Sequence, residues 1–245
     1  RKASANSETD IIQGDNRVST AQKEIILKGQ PASGGIAMGP AYVYEREEVY
    51  VTERPLSDEE VARELVLLDE AMERSRHELQ KITRFARMKL NADAASIFEA
   101  QLVMLDDPVM RDALDQRLRR EMKNADFLIY DELRKYKEIL GSAGDESMRD
   151  RVADLDEVGQ RIMRNLQKKR LHSTVEGQHV IIASQLTPSD TILFSRHDVL
   201  GYATDLGGIT SHAAILSRSL KIPAVTALMN SSSLIKTGDE VILDG

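Results

Sequence analysis

The sequence predicts an α/β domain interrupted by an inserted all-α helical bundle. Strand-like runs lie on both sides of a long tract with no convincing strand. That tract, from about Ser57 to Lys168, repeats apolar residues at helical spacing, and after it strands and helices alternate. At 245 residues the chain is long enough to bury two modest cores.

Residues 1–23 are rich in Ser, Asn, Asp, Thr and Gln and hold few apolar residues, the composition of a polar tail or linker. Residues 24–52 then carry Ile25-Ile26-Leu27, a Gly-rich turn at Pro31 to Gly35, Ile36, and Ala41-Tyr42-Val43-Tyr44, which read as short strands between breakers. Ser57 with Glu60 forms a capping box. Val61, Leu65, Leu68, Met72, Leu79, Ile82 and Phe85 continue from it as one long helix. Asp93 is the expected cap of a second helix containing Ile97, Phe98, Leu102 and Leu105, and Pro108 suits the first turn of a third. Two more helices are expected over Asp126 to Leu140 and Asp145 to about Leu166, so residues 53–168 form the bundle. From 169 to 245 the expected strands are His179–Ala183, Val199–Ala203, Ala224–Thr226 and Glu240–Leu243. Helices fall at Ser189–Phe194 and His212–Leu220.

Composition narrows the chemistry. Lys and Arg number 33 against 40 Asp and Glu, a net charge of −7, so the chain lacks the basic footprint of a nucleic-acid binder and suits a basic partner better. The absence of cysteine removes thiol catalysis, thiolate metal sites and disulfides, and is compatible with a cytoplasmic location. No apolar run approaches the roughly 18 residues of a membrane span. Nor do the motifs of a phosphate-binding loop, a dinucleotide fold or a hydrolase elbow occur.

One stretch carries a candidate chemistry: Gly207-Gly208-Ile209-Thr210-Ser211-His212-Ala213-Ala214. Thr210 or Ser211 can cap the helix that follows, and a helix start favours negative charge beside His212. Gly207 and Gly208 permit a close or unusual backbone path, and Asp205 is placed to orient the turn. A neutral imidazole is also a competent nucleophile near pH 7. Local physics leaves two readings of His212: a phosphoryl carrier, or a polar residue satisfied at a helix start. His77, His172, His179 and His197 show no zinc-like spacing and are assigned no function.

The longer run Asp205 to Leu220, followed by Ile222-Pro223-Ala224-Val225, resembles the phosphohistidine signature of phosphoenolpyruvate-utilising enzymes. That signature is shared by enzyme I of the sugar phosphotransferase system, pyruvate phosphate dikinase and phosphoenolpyruvate synthase. The helical insertion, Ser33-Gly34-Gly35-Ile36-Ala37-Met38-Gly39, the run Ile97 to Asp107, the run Arg151 to Gly159, and Leu186-Thr187-Pro188-Ser189-Asp190-Thr191 are similar to enzyme I. A nitrogen-related enzyme I used as a regulatory module, or a dikinase-like enzyme, are the alternatives.

The resemblance implies a swivelling phosphohistidine α/β domain. His212 would be phosphorylated, through Nε2, and Thr191 would be either the hydroxyl that orients the unphosphorylated ring or an ordinary helix-start residue. Gly207, Gly208, Thr210 and Ser211 would support the phosphoryl site. Asp93, Gln101, Met104, Leu140, Met148 and Arg151 fall where the family contacts its histidine-containing phosphocarrier protein (HPr), with core packing the competing role for the apolar ones. The same resemblance places phosphoenolpyruvate and Mg2+ binding, and dimerisation, in a carboxyl-terminal portion beyond residue 245. It implies an amino-terminal portion that needs no cofactor of its own and is mainly monomeric. Ile209 stands where many members carry Arg, and Ala92 and Val109 where acidic partner contacts are common.

Overall fold

The computed structural model describes residues 24–46, 49–141, 146–169, 175 and 177–245, with backbone alone for 139–141 and 146–150. The expected polar tail over 1–23 lies outside the described residues. Two short strands, β1 (Gln30–Ser33) and β2 (Ile36–Tyr44), precede five helices: α1 (Asp58–Lys89), α2 (Ala92–Leu105), α3 (Pro108–Glu121), α4 (Ala125–Gly141) and α5 (Glu146–Leu166). The chain then runs β3 (Val180–Ala183), α6 (Pro188–Phe194), β4 (Gly201–Thr204), α7 (His212–Leu220), β5 (Ala224–Thr226), α8 (Ser231–Leu234) and β6 (Glu240–Asp244). The fold is therefore a helical bundle joined to an α/β unit.

Capping explains most helix starts. Ser57 and Glu60 form the reciprocal box at α1, whose first turn is acidic (Asp58, Glu59, Glu60) and whose last is basic (Arg87, Lys89), as the helix dipole favours. At 32 residues α1 spans about 48 Å. The cap of α2 is Asn91, not Asp93: its side chain accepts the Ala94 amide at 2.8 Å, which leaves Asp93 inside the first turn where its charge still suits the dipole. Asp107 caps α3, with Pro108 in its first turn. Ser75 and Thr83 lie buried within α1 and satisfy their hydroxyls on the carbonyls of Ala71 and Leu79.

The six strands form one sheet in the order β1-β5-β4-β3-β2-β6. The inner pairs β2–β3, β3–β4 and β4–β5 are parallel, whereas β1 and β6 lie antiparallel at the edges. Two expectations are corrected here. Ile25-Ile26-Leu27 is not a strand, and the expected turn at Pro31 begins instead as the edge strand β1, with a register shift between Pro31 and Ser33. Proline is tolerated there because an edge has no ladder partner on its outer side. The Gly245 amide donates to the Gly35 carbonyl at 2.9 Å, continuing the β2–β6 ladder one residue beyond the strand ends.

Ile181, Tyr202, Ala214 and Phe194 pack one face of the sheet against α6 and α7, and Val180, Ile182, Ala203 and Leu243 fill the other. The bundle core, around Leu68, Phe98, Leu118 and Ile162, does not stop at the bundle. It includes Ile192 of α6 and Leu216 of α7. Apolar packing thus presses the two short helices of the α/β unit onto the bundle, and that contact positions His212.

Candidate active site

His212 is the first residue of α7. Ser211 is the cap: it has extended backbone and its hydroxyl oxygen accepts the Ala214 amide at 3.3 Å. The Ser211 amide in turn donates to the Gly208 carbonyl at 3.0 Å, closing a turn just before the helix. Gly207 has φ +101°, a left-handed conformation that a side chain would strain. Gly208 has no such requirement, since a Cβ there would meet only Gln30 Oε1, at 4.0 Å. Arg218, one helix length on, reaches back with Nη1 to the carbonyls of Ile209 (2.9 Å) and Ala32 (2.8 Å), fastening the loop to β1. Thr210 is exposed at the front of the helix.

Asp205 does not orient this turn. Its buried carboxylate instead accepts the amide (2.5 Å) and hydroxyl (2.6 Å) of Ser231, together with the amide and hydroxyl of Ser232, at the start of α8. Burial pushes this carboxyl up, but the hydrogen bonds from Ser231 and Ser232 outweigh it and hold it below its ordinary value.

The imidazole of His212 faces the bundle. Its Nδ1 lies 3.4 Å from Oδ1 of Asp154 on α5, long for a hydrogen bond but within ion-pair range, and the ring is 21% exposed. Gln101 of α2 holds that carboxylate in place, donating from Nε2 to Asp154 (3.2 Å) and to Glu157 (3.0 Å). Glu157 accepts the amide of Ser189 in α6 at 3.2 Å. Arg161 donates to the Ser189 hydroxyl at 2.6 Å and to Glu78 of α1 at 2.9 Å. A single chain of polar contacts therefore runs across both parts of the molecule and ends at the histidine.

Thr191 is fully buried in α6, beside α7. Thr187 and Asp190 start that helix with a capping box, and the Tyr44 hydroxyl donates to Asp190 at 3.1 Å. The Thr191 hydroxyl donates to the Thr187 carbonyl at 3.0 Å, so it can serve the ring only through its acceptor lone pairs. The Tyr202 hydroxyl, pushed above its ordinary pKa by burial, donates to the Thr191 carbonyl at 3.1 Å.

Of the expected partner contacts, Asp93 and Arg151 are exposed and Met104 is half-buried against the bundle core. Gln101 is corrected: it is fully buried and occupied with Asp154 and Glu157, so it cannot lie on a docking face. The side chains of Leu140 and Met148 lie outside the described residues. Sequence reasoning missed Asp154 and Glu157, whose links to Gln101 cross 53 and 56 residues and leave no local pattern. Among the described residues no group of three His, Asp or Glu side chains could hold a metal ion.

Two family descriptions match this arrangement: the N-terminal portion of phosphoenolpyruvate-utilising enzymes over residues 28–151, and their mobile domain over 175–245. The chain belongs to the phosphoenolpyruvate-utilising enzyme family. Within it, the chain is 37% identical over 221 residues to a phosphoenolpyruvate-protein phosphotransferase of Bacillus subtilis, covering 89% of this chain and 38% of that protein. It is 35% identical over 223 residues to the Staphylococcus aureus protein of the same name, covering 90% and 39%. The chain thus spans about two fifths of the length of these relatives. The solution structure of an Enzyme I protein (nEIt) superposes with a TM-score of 0.70 at 38% identity, covering 89% of each chain. The N-terminal domain of a nitrogen-related enzyme 1 shares the fold, with a TM-score of 0.61 at 20% identity and coverage of 89% of this chain and 90% of that one.

Proposed function

We propose that this chain is the phosphohistidine-bearing portion of a phosphoenolpyruvate-protein phosphotransferase, passing a phosphoryl group between His212 and a histidine of a phosphocarrier protein. The observation that carries the reading is the placement of His212 on the first turn of α7 with Nδ1 turned towards Asp154. A carboxylate beside Nδ1 favours the proton on that nitrogen and makes Nε2 the nitrogen whose lone pair attacks phosphorus. The new Nε2–P bond forms as the donor's bond to phosphorus breaks, its electron pair leaving with the donor. The cationic ring that results is stabilised by Asp154, and the phosphoryl oxygens lie near the amides of a helix start. The reverse direction uses the same contacts.

Thr191 contributes by accepting from, or packing beside, the ring. Gly207 shapes the loop, Ser211 caps the helix, and Thr210 offers a hydroxyl at its open front. Phosphoenolpyruvate and Mg2+ would act in a carboxyl-terminal portion like that of the longer relatives. Asp93 and Arg151, both exposed, and half-buried Met104 remain contacts for the carrier, as do Leu140 and Met148, and Arg151 lies about one helical turn from Asp154 on α5. This family assignment suits a cytoplasmic protein, and among the described residues no helix is long and apolar enough to cross a membrane.

The test is to incubate the 245-residue chain with phosphorylated carrier. An acid-labile, base-stable phosphate should appear on the wild type and be absent from His212→Ala. Labelling that survives the substitution removes His212 from the mechanism.

A further inference from the structure

On the far side of the polar chain from His212, α1, α5 and α6 enclose a groove of about 580 Å³. Arg161 and Arg164 lie at its floor, with side chains 3% and 13% exposed, while Arg74, Lys81, Lys168 and Arg196 stand around its rim. Glu78 is the carboxylate facing them, and it is shared: it accepts from Arg161 at 2.9 Å and from Arg164 at 2.7 Å. Behind the wall Glu157 stands 3.8 Å from Arg161, and Glu70 pairs with Arg74 at 3.3 Å, but Glu78 is the carboxylate that lines the groove itself, against these cationic side chains. The surplus stands against a chain whose overall charge is −7.

Three further observations favour an anion at this groove. The Nε of Arg161 is buried and has no hydrogen-bond partner among the described residues, although buried guanidinium donors are almost always paired. Burial first, then the neighbouring Arg161 charge, push Arg164 below its ordinary value despite the attraction of Glu78. Arg196 is held over the groove mouth by stacking on Phe85, 5.2 Å from the ring centre, which spares it part of the entropy cost of ordering on a ligand.

We infer that this groove is a binding site for a compact anion carrying two or more linked phosphoryl groups. A single phosphate would leave most of the volume and most of the charge uncompensated, since small-ligand sites of roughly 300–1,000 Å³ hold whole metabolites. A long nucleic acid needs a basic stripe rather than one pocket in an acidic chain. Guanidinium forks match phosphoryl oxygens in pairs, and the rim lysines add charge without fixed geometry. Because the walls come from α1 and α5 of the bundle and from α6 of the α/β unit, the bound anion would tie the two parts together in the arrangement that holds His212 against Asp154. The site itself does not depend on phosphoryl transfer at His212.

Calorimetric titration of the full 245-residue chain with sodium tripolyphosphate, at constant ionic strength, tests it. One saturable site is expected, together with a rise in the midpoint of thermal unfolding. The double substitution Lys168→Gln with Arg196→Gln changes only exposed rim residues. It should weaken binding at least about tenfold, the effect of losing one charge-assisted hydrogen bond. Arg119→Gln with Arg120→Gln, on α3 away from the groove, should leave affinity unchanged. Absence of a saturable site, or equal weakening by the two double variants, overturns the proposal. So does citrate binding as tightly as tripolyphosphate, which would remove the phosphoryl preference, or a single-stranded oligonucleotide binding more tightly than either, which would make the groove part of a macromolecular surface.

Discussion

Two charged clusters in this molecule both centre on Arg, Asp and Glu and are wired differently. On the bundle, Arg117 of α3 lies among Glu121, Asp131 and Glu132, at 2.8, 2.7 and 2.6 Å, and Lys135 and Arg134 complete the circle around Asp131. At the junction, Gln101, Asp154, Glu157 and Arg161 reach from the bundle to Ser189 and His212. The first cluster pairs its central charges within two adjacent helices, and its work is to hold α3 against α4. The second leaves Gln101 Oε1 and Arg161 Nε buried without hydrogen bonds among the described residues, and it reaches His212, the proposed phosphoryl carrier. A network that forgoes some satisfaction while meeting an imidazole and a cationic groove fits the proposed transfer and binding better than a purely structural role.

Substitutions can break that contrast. Asp154→Asn keeps size and burial but removes the charge beside Nδ1. Phosphorylation of His212 by phosphorylated carrier should slow by roughly tenfold to a hundredfold, the effect of losing an orienting partner, with a small change in melting temperature. A variant that melts early yet is phosphorylated at the wild-type rate would reduce the junction to a structural brace.

Arg117→Ala should show the opposite pattern. Leaving three carboxylates without their guanidinium should cost about 2 kcal/mol of stability, read as a fall in melting temperature of about 4–8 °C, while the phosphorylation rate at permissive temperature stays unchanged. The same cluster sets an acid limit. Hydrogen bonding to Arg117, against opposing burial, brings the Glu121 pKa down to about 2. Lys135 first, and Arg117 after it, hold Asp131 well below the carboxylate range. Both folded-state values lie below the unfolded ones near 4, so this stabilisation is fully present above about pH 4 and drains away as pH falls towards 2. Denaturant titrations at pH 5 and pH 3 should show a smaller loss on acidification in Arg117→Ala than in the wild type.

The smallest effect separates the two glycines before the histidine. Gly207→Ala must hold a side chain at φ +101° and should cost roughly 1–2 kcal/mol, whereas Gly208→Ala meets only an ordinary contact with Gln30 and should stay within about 0.5 kcal/mol. Equal costs would mean that the loop relaxes freely and that its shape is not fixed by Gly207.

What the sequence revealed and what it hid follow from range. Ser57 with Glu60 was legible, and the start of α7 was narrowed to Thr210 or Ser211, because a cap acts over three residues, whereas the Thr187–Asp190 box at α6 was not read. The helices of the bundle were legible because their apolar faces repeat within a turn. Gln101 was misread as a surface residue because nothing near it in sequence announces that Asp154 and Glu157 will bury it. Asp154 went unnoticed for the same reason, one carboxylate among many in a charged helix. Strand β1 was hidden by Pro31 and Ser33, residues that usually mark turns and here occupy an irregular sheet edge. His212 itself became specific only through the long similarity around it, since a histidine at a helix start has several ordinary explanations.

The pairing of β2 with β6 carries a consequence for how the molecule assembles. Ile36 lies opposite Asp244, more than 200 residues away along the chain, with the whole bundle between them. During synthesis α1 to α5 can collapse on their own short-range contacts, while β2 waits as an unpaired apolar strand until β3 and then β6 arrive. The helical insertion should therefore fold early and fast and the sheet late and slowly. The histidine loop would acquire its shape last, against a bundle surface already formed to receive it.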